Sequence, residues 1–187
     1  MDLENKRIII TGASKGIGRA IAESLAAFGA KLFLTARDQD QLESLKAELI
    51  SRGCDLDFAV ADLRDADQVS SMFQSAIEFL GGIDVLINNA GLGIKADVAD
   101  MSLADWDRTM QVNLRAVFLL SQLASKKMIA QRSGYIINIG SGASQTPISG
   151  FASYCASKYG LLGFSESLGL ELRGHNIKVS IILPGST

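Results

Sequence analysis

Residues 7–18 read RIIITGASKGIG, an apolar run followed by three glycines in the pattern Gly-x3-Gly-x-Gly. The run Arg7–Thr11 is typical of a buried strand, and apolar residues at helical spacing from Ile17 to Phe28 predict a helix. At such a junction the backbone can approach a pyrophosphate, and the first N–H groups of the helix point towards it. A glycine cluster alone is equally typical of an ordinary tight turn, but its position after a first strand favours dinucleotide binding. The candidate cofactor contacts in this turn are Gly12, Ser14, Lys15, Gly16, Ile17 and Gly18.

Short apolar runs alternate with longer helical patterns along the rest of the chain. The predicted strands are Arg7–Thr11, Lys31–Ala36, Asp57–Ala61, Ile83–Asn88, Tyr135–Gly140 and Ile177–Leu183. The fourth and fifth predicted helices are the longest, Trp106–Met128 and Ser153–Arg173. Repeated β-α-β order requires right-handed crossovers and a mostly parallel sheet with helices on both faces, which is a doubly wound α/β fold. The length of 187 residues predicts a single dinucleotide-binding domain over residues 1–187.

Composition argues against several classes of protein. The 18 basic and 20 acidic residues give a formal net charge of -2 and form no blocks, so neither nucleic acid nor an anionic membrane is an expected partner. The two cysteines, Cys54 and Cys155, do not make a disulfide framework. The N-terminus carries acidic residues where a signal peptide is basic, and no apolar run is long enough to cross a bilayer. We therefore expect a soluble cytoplasmic protein, and we expect no metal site.

The residues that end the second predicted strand bear on cofactor choice. An acid there holds the 2′-hydroxyl of NAD, whereas a base accommodates the 2′-phosphate of NADP. The first charged residue is Arg37, and Lys15 in the glycine turn can approach the same phosphate. Asp38 leaves NAD open, and both cations could instead be solvated surface charges. The pattern favours NADP over NAD.

A second chemical pattern lies near the start of the fifth predicted helix. Tyr154 and Lys158 are four residues apart and therefore share one helix face. A phenol is a poor base near neutral pH, and a neighbouring ammonium stabilises its anion. Ser141 follows a predicted strand and should emerge at its carboxyl end, where it can hold the oxygen of a carbonyl substrate. A Tyr and a Lys at this spacing also occur by chance as a surface pair, so the prediction depends on their combination with the glycine turn.

In this order the motifs resemble those of the short-chain dehydrogenase/reductase family, and most of all its bacterial 3-oxoacyl-thioester reductases and related ketoreductases. The resemblance covers nearly the whole chain and includes Asn88-Asn89-Ala90-Gly91 after the fourth predicted strand. It implies the strand order 3-2-1-4-5-6. The catalytic residues that it implies are Asn113, Ser141, Tyr154 and Lys158, the first through a main-chain contact to a water. The further cofactor contacts that it implies are Asp62, Leu63, Asn89, Ala90, Gly91, Tyr154, Lys158, Pro184 and Gly185.

The resemblance also carries expectations about assembly and completeness. The family forms a two-fold interface from helices that correspond to the fourth and fifth predicted ones, so we expect a homodimer or homotetramer through them. Small residues such as Gly160 and Gly163 would permit a close helix approach there. The sequence ends just after Pro184-Gly185, where family members continue into a seventh strand. We therefore expect a chain truncated at its C-terminus, without that strand, and with the sixth strand as an open edge.

Three functions compete at this point. The first is an NADP-dependent oxidoreductase that interconverts a ketone and a secondary alcohol by hydride transfer, with a small carbonyl or alcohol as substrate. The second is an NAD-dependent alcohol or polyol dehydrogenase. The third, from another class, is a protein that binds the dinucleotide without catalysis, as a sensor or scaffold.

Overall fold

The computed structural model describes residues 3–185, which form one six-stranded sheet with helices on both faces. The strands are β1 (Arg7–Thr11), β2 (Lys31–Ala36), β3 (Leu56–Val60), β4 (Val85–Asn88), β5 (Gly134–Ile139) and β6 (Ile177–Ile182). The helices are α1 (Gly16–Ala27), α2 (Gln39–Ser51), α3 (Ala66–Leu80), α4 (Leu103–Met110), α5 (Ala116–Gln131) and α6 (Ala152–Leu172). A π-helical turn (Gln111–Arg115) joins α4 to α5, and short 3-10 turns occupy Gly142–Ser144 and Arg173–His175.

The sheet order is β3-β2-β1-β4-β5-β6, and each neighbouring pair of strands is parallel. The predicted fold and strand order are therefore confirmed. Among the described residues β6 is an edge strand, as expected. The strand bounds differ from the predicted ones by at most two residues, which is the usual uncertainty at strand and helix ends.

Alternating side chains of the strands supply two separate cores, one on each face of the sheet. Ile9 packs with α3 and α5, whereas Ile8 and Ile10 pack on the opposite face with α1 and α2. Successive side chains of a strand point to opposite faces, so a strand covered on both sides is apolar throughout. This is why β1 reads as an uninterrupted apolar run.

The prediction of one continuous helix over Trp106–Met128 is wrong in detail. The helical segment starts at Leu103, ends at Gln131 and contains the π-helical turn, where the N–H of Ala116 bonds the carbonyl of Gln111 five residues earlier. The hydrophobic spacing could not reveal this turn, because one wide turn shifts the pattern by a single residue. The side chain of Asn113 in this turn bonds the loop after β4 and the helix α6.

The ends of three central strands bring the predicted motifs together. Thr11, Asn88 and Ile139 end β1, β4 and β5 at the same carboxyl edge of the sheet. This edge, where β1 and β4 diverge, is where open α/β sheets bind their ligands. No helix within residues 3–185 is long and apolar enough to cross a membrane.

Candidate active site

The glycine turn after β1 is packed so closely that two of its positions exclude any side chain. Gly12 has a φ of +65°, and a Cβ atom there would lie 2.8 Å from the Cα of Ala90. A Cβ at Gly18 would lie 2.3 Å from the carbonyl oxygen of Gly12. Contacts this short cannot be relieved without moving the backbone, so the turn depends on glycine at both positions.

The loop after β4 is bonded directly to this turn. The side-chain amide of Asn89 donates to the carbonyl oxygens of Thr11, at 2.9 Å, and Gly12, at 3.1 Å. In return the Thr11 hydroxyl oxygen accepts from the backbone N–H groups of Asn89 and Ala90, both at 3.0 Å. Asn89, predicted as a cofactor contact, thus fixes the shape of the cleft through its amide nitrogen.

The N-terminus of α1 has the properties of an anion site. Lys15 occupies the N-cap position in an extended conformation, and no side chain caps the first N–H groups. The first turn also contains no acidic residue. The free N–H groups and the positive end of the helix dipole therefore face the groove lined by Gly12 and Ser14. A dinucleotide pyrophosphate fits this arrangement, because close backbone approach and unpaired donors are what it requires.

The groove beside the turn has a volume of about 420 Å³. Its lining includes ten of the predicted cofactor contacts, namely Gly12, Ser14, Lys15, Ile17, Arg37, Asp62, Leu63, Asn89, Ala90 and Gly91. Gly16 and Gly18 belong to the same turn but do not line the groove.

Charged groups gather at the end of this groove that lies beyond β2. Arg37 is exposed, and its positive charge contributes to lowering the pKa of Asp62, which is depressed mainly by a hydrogen bond from Arg64. Asp38 behaves differently, because its carboxylate caps α2 by accepting from the N–H of Gln41 at 3.1 Å. The Asp38 carboxylate, which could otherwise accept a hydrogen bond from a ribose hydroxyl, therefore already accepts one from the helix α2.

A second cleft, of about 290 Å³, continues from the groove. It shares Ile17, Asn89, Gly91 and Leu92 with the groove. Ser141, Tyr154, Lys158, Pro184 and Gly185 line it as well. The structure therefore brings the predicted Ser, Tyr and Lys together in one cavity, although they come from two segments of the chain.

Lys158 is buried within this cleft at 4% exposure. Its ammonium donates a hydrogen bond of 2.8 Å to the carbonyl of Ile139 and lies 5.7 Å from the centroid of the Tyr154 ring. Burial lowers the pKa of Lys158 to about 8, because desolvation disfavours the charged form. The half-buried Tyr154 ring thus has a buried nitrogen beside it that can carry either charge state near neutral pH.

Ser141, which lines the same cleft as Tyr154 and Lys158, lies two residues after the end of β5. Its hydroxyl oxygen accepts a hydrogen bond of 3.1 Å from the N–H of Ala143, so the side chain caps the N-terminus of the 3-10 turn Gly142–Ser144. The next residue, Gly142, donates its N–H to the carbonyl of Pro184 at 3.0 Å. This bond ties the Pro184 segment to the cleft.

Asn113 lies beside this cleft, and its side chain is buried and fully bonded. Its amide oxygen accepts from the N–H of Leu92 at 2.9 Å, and its amide nitrogen donates to the Leu92 carbonyl at 2.8 Å and to the Ser157 hydroxyl at 2.9 Å. Ser157 in turn donates to the carbonyl of Tyr154 at 2.7 Å. Asn113 therefore links the loop after β4 to the helix that carries Tyr154.

Comparison with known families decides what kind of protein this is. The profile of the family described as short chain dehydrogenase matches residues 6–187. The chain belongs to the short-chain dehydrogenase/reductase family. Membership of this family makes the protein an NAD(P)-dependent oxidoreductase.

Several curated relatives resemble this short-chain dehydrogenase over nearly its whole length. Nodulation protein G from Rhizobium sp. (strain N33) is 42% identical over 98% of the chain and 74% of its own length. The 3-oxoacyl-[acyl-carrier-protein] reductase FabG of Escherichia coli (strain K12) is 37% identical over 99% of the chain and 75% of its own length. A D-threitol dehydrogenase from Mycolicibacterium smegmatis is 36% identical over 97% of the chain and 70% of its own length.

Solved structures of the same family superpose closely. A metagenomic short-chain oxidoreductase in complex with NADP is 39% identical and gives a TM-score of 0.95 over 100% of this chain and 85% of its own. A xylitol dehydrogenase with bound NAD+ is 31% identical and gives a TM-score of 0.94 over 99% of this chain and 72% of its own. Both nicotinamide dinucleotides are therefore found on close structural relatives of this short-chain dehydrogenase.

The sequence did not identify Val112 and Ser157 as residues of the short-chain dehydrogenase cleft. Val112 lines the groove, and Ser157 bonds Asn113. Ser157 lies between Tyr154 and Lys158, and its position three residues after Tyr154 is a signal for a bond to the Tyr154 carbonyl. Val112 carries no chemical signal, because an apolar residue reveals such a role only once the chain is folded.

Proposed function

We propose that this short-chain dehydrogenase is an NADP-dependent reductase of ketones that gives secondary alcohols, and that it also catalyses the reverse oxidation. One observation carries the proposal: Ser141, Tyr154 and Lys158 line a cleft that is continuous with the groove beside the glycine turn. A substrate in the second cleft would lie next to the reactive end of a dinucleotide that fills the groove. The names of relatives such as the Escherichia coli 3-oxoacyl-[acyl-carrier-protein] reductase support a 3-oxoacyl thioester or similar ketone as substrate.

In this proposal different residues of the groove hold different parts of the cofactor. The glycine turn and the N-terminus of α1 hold the pyrophosphate, and Asp62 and Leu63 hold the adenine. Asn89, Ala90 and Gly91 line the groove between these two parts. Pro184 and Gly185 flank the nicotinamide, and Lys158 binds the hydroxyls of the ribose beside it. When bound, the nicotinamide supplies the hydride that reduces the carbonyl carbon.

The residues of the second cleft then handle the substrate oxygen. The hydroxyl of Ser141 holds that oxygen and polarises the carbonyl. Tyr154 donates its phenolic proton to the oxygen during reduction and takes it back during oxidation. The Lys158 ammonium, when charged, stabilises the phenolate that remains. The side chain of Asn113 holds the loop after β4 in a fixed position relative to the helix that carries Tyr154. In this proposal the main chain of Asn113 also binds a water that links Lys158 to solvent.

The preference for NADP rests on three charged residues. Arg37 and Lys15 can both approach a dianionic 2′-phosphate, and Arg can bind it through two bonds. Asp38 caps α2, which leaves it less suited to a ribose hydroxyl. The NADP complex of a structural relative that is 39% identical supports this choice.

A second candidate is an NAD-dependent alcohol or polyol dehydrogenase. It is favoured by the NAD+-bound xylitol dehydrogenase structure and by the D-threitol dehydrogenase among the relatives. In this case one oxygen of Asp38 would accept from the ribose hydroxyl while the other continues to cap α2.

We also propose that the protein forms a homodimer or homotetramer through α4, α5 and α6. An open groove between these helices contains Leu114 and Phe164 together with the small residue Gly160. Phe118, which also lines it, is 44% exposed. Residues of this kind are typical of helix–helix interfaces between subunits. A cytoplasmic location stays a prediction.

Initial rates with paired cofactors test the proposed function. The protein is assayed with a panel of ketones, including 3-oxoacyl thioesters, with NADPH and NADH in parallel, and with polyols and NADP+ or NAD+. We expect ketone-dependent oxidation of NADPH that is faster than that of NADH. Faster polyol oxidation with NAD+ would favour the second candidate. Tight dinucleotide binding without turnover of any substrate would overturn both.

A further inference from the structure

Arg64, two residues after Asp62, binds the Asp62 carboxylate at both of its oxygens. The Nε of Arg64 lies 3.0 Å from Oδ1 and 2.9 Å from Oδ2, and Nη2 also donates to Oδ2. The main-chain N–H of Arg64 donates to Oδ1 at 3.0 Å. A carboxylate has about four acceptor sites, so these bonds engage most of them. The negative charge of Asp62 is therefore paired within its own turn.

The turn that contains this pair is braced by two neighbouring elements. The N–H of Asp62 donates to the side-chain oxygen of Gln68 in α3 at 2.9 Å, and its carbonyl accepts from the N–H of Asp65 at 2.9 Å. The guanidinium of Arg115, in the π-helical turn, donates to the carbonyl of Arg64. The main chain on both sides of the pair is thus held in place, which keeps Arg64 beside the carboxylate.

The paired carboxylate lies next to the cation that is proposed to bind the 2′-phosphate. The strands β2 and β3 are parallel neighbours, and at their ends the N–H of Ala61 donates to the carbonyl of Ala36 at 3.0 Å. Arg37 and Asp62 directly follow these two residues, and both line the groove. A hydrogen bond from Arg64 lowers the pKa of Asp62, and the charge of Arg37 lowers it further. Arg37 and Asp62 are therefore within electrostatic range of each other.

An unpaired carboxylate at this place would act against a 2′-phosphate in two ways. It would repel the dianionic phosphate, and it would attract Arg37 away from that phosphate. NAD has a hydroxyl in place of the phosphate, so its binding would be affected less. Pairing with Arg64 reduces both effects, because the net charge of the pair is zero and the carboxylate oxygens are already bonded.

We propose that Arg64 is a positioning residue that favours NADP over NAD by neutralising Asp62 beside the 2′-phosphate site. Arg64 does not line the groove, so it acts through Asp62 rather than as a further ligand of the cofactor. This inference rests on the proposed function, because it takes Arg37 as the residue that binds the phosphate.

Four variants and a matched control test this inference. Arg64→Ala removes the partner of the carboxylate, Arg64→Lys keeps its charge, and Asp62→Asn removes the carboxylate charge, alone or together with Arg64→Ala. The control is Arg52→Ala, because Arg52 forms a comparable exposed pair with Glu48 and neither residue lines the groove. Fluorescence titration at low ionic strength gives the dissociation constants for NADPH and NADH. The preference is the constant for NADH divided by that for NADPH.

We expect Arg64→Ala to lower the preference for NADPH by about fivefold, the factor that corresponds to two unit charges about 4 Å apart in water. Arg64→Lys should retain most of the preference. Combining Arg64→Ala with Asp62→Asn should restore it, because a neutral amide needs no counterion. Arg52→Ala should leave it unchanged.

Two results would overturn the inference and leave the proposed function intact. One is an equal loss of NADPH and NADH affinity in Arg64→Ala. The other is a double variant whose preference stays as low as that of Arg64→Ala, since a purely structural role of Arg64 would not be rescued by removing the carboxylate charge. Equal affinity of the unsubstituted protein for NADPH and NADH would instead overturn the NADP preference in the proposed function, and the inference with it.

Discussion

The ammonium of Lys158 donates a hydrogen bond of 2.8 Å to the main-chain carbonyl of Ile139, the last residue of β5. The bond fastens α6 to the sheet at the level of the cleft. It also gives a buried nitrogen at least one acceptor, which offsets part of the cost of its burial. The position of Tyr154, one helical turn earlier, is set by the same helix.

The lowered pKa of Lys158 predicts a pH-dependent difference in stability. Because its pKa falls from 10.5 to about 8 on folding, the unfolded state binds more protons between these values, and stability rises with pH there. Lys158→Met removes this contribution. The free energy of unfolding of the variant minus that of the unsubstituted protein should therefore fall by about 2 kcal/mol between pH 7 and pH 9.5.

Denaturant unfolding at several pH values measures this difference, with Lys178→Met as the control because Lys178 is an exposed lysine. The control difference should be nearly constant with pH. A constant difference for Lys158→Met as well would show that burial does not perturb this lysine.

The bond between Asn113 and Ser157 predicts an energetic coupling between the π-helical turn and α6. Single substitutions Asn113→Ala and Ser157→Ala each break the 2.9 Å hydrogen bond, and the double variant breaks it only once. A double-mutant cycle on the free energy of unfolding should give a coupling of about 1 kcal/mol. Additive effects would mean that the bond contributes nothing to stability. Ser121→Ala, which alters a buried serine of α5 elsewhere in the core, should not couple to Asn113→Ala.

The glycine turn predicts a sharp contrast between two Gly→Ala substitutions. A methyl group at Gly18 would meet the Gly12 carbonyl oxygen at 2.3 Å and the Asn89 amide at 2.4 Å, whereas nothing lies within 4 Å at Gly174. Gly18→Ala should destabilise the protein by about 1–3 kcal/mol and weaken NADPH binding by about tenfold or more. Gly174 is exposed in the 3-10 turn after α6 and has no positive φ, so Gly174→Ala should change stability by less than about 0.5 kcal/mol. Thermal unfolding measures the change in stability, and fluorescence titration measures NADPH binding. Equal behaviour of the two variants would contradict the claim that the packing and cofactor binding of the glycine turn require glycine at position 18.

Cofactor preference predicts a selective effect of Arg37. Loss of a charge-assisted bond to the 2′-phosphate costs about 1.5–3 kcal/mol, so Arg37→Ala should weaken NADPH binding by about tenfold or more. NADH lacks that phosphate, and its binding should hardly change. Arg52→Ala removes an exposed guanidinium at the far end of α2 and should leave both titrations unaltered. Equal losses for NADPH and NADH would contradict the assignment of Arg37 to the phosphate.

The sequence predicted the features that depend on local spacing. The run RIIITGASKGIG predicts both the strand β1 and the glycine turn that follows it. Both could be predicted because the apolar residues of the strand and the glycines of the turn lie within a dozen residues of one another. Tyr154 and Lys158 share a helix face by their separation alone. In the same helix Leu161, Ser165, Leu168 and Leu172 are buried at the spacing of one helix face.

The remaining features depend on partners distant in sequence. The π-helical turn around Asn113 leaves no trace in the hydrophobic pattern, and its partners Leu92 and Ser157 lie 21 and 44 residues away. Asp38 could be predicted as a charged residue at the end of β2, but its competing use as a helix cap emerged only with the position of α2.

The most direct test of the proposed mechanism is the kinetics of Tyr154→Phe. The substitution removes only the hydroxyl that exchanges the proton and keeps the ring that packs against Phe151. We predict that kcat/KM for NADPH-dependent ketone reduction falls by about 10²–10⁴-fold, while the dissociation constant for NADPH stays nearly the same. Undiminished ketone reduction by Tyr154→Phe would contradict the role of Tyr154 as the proton donor.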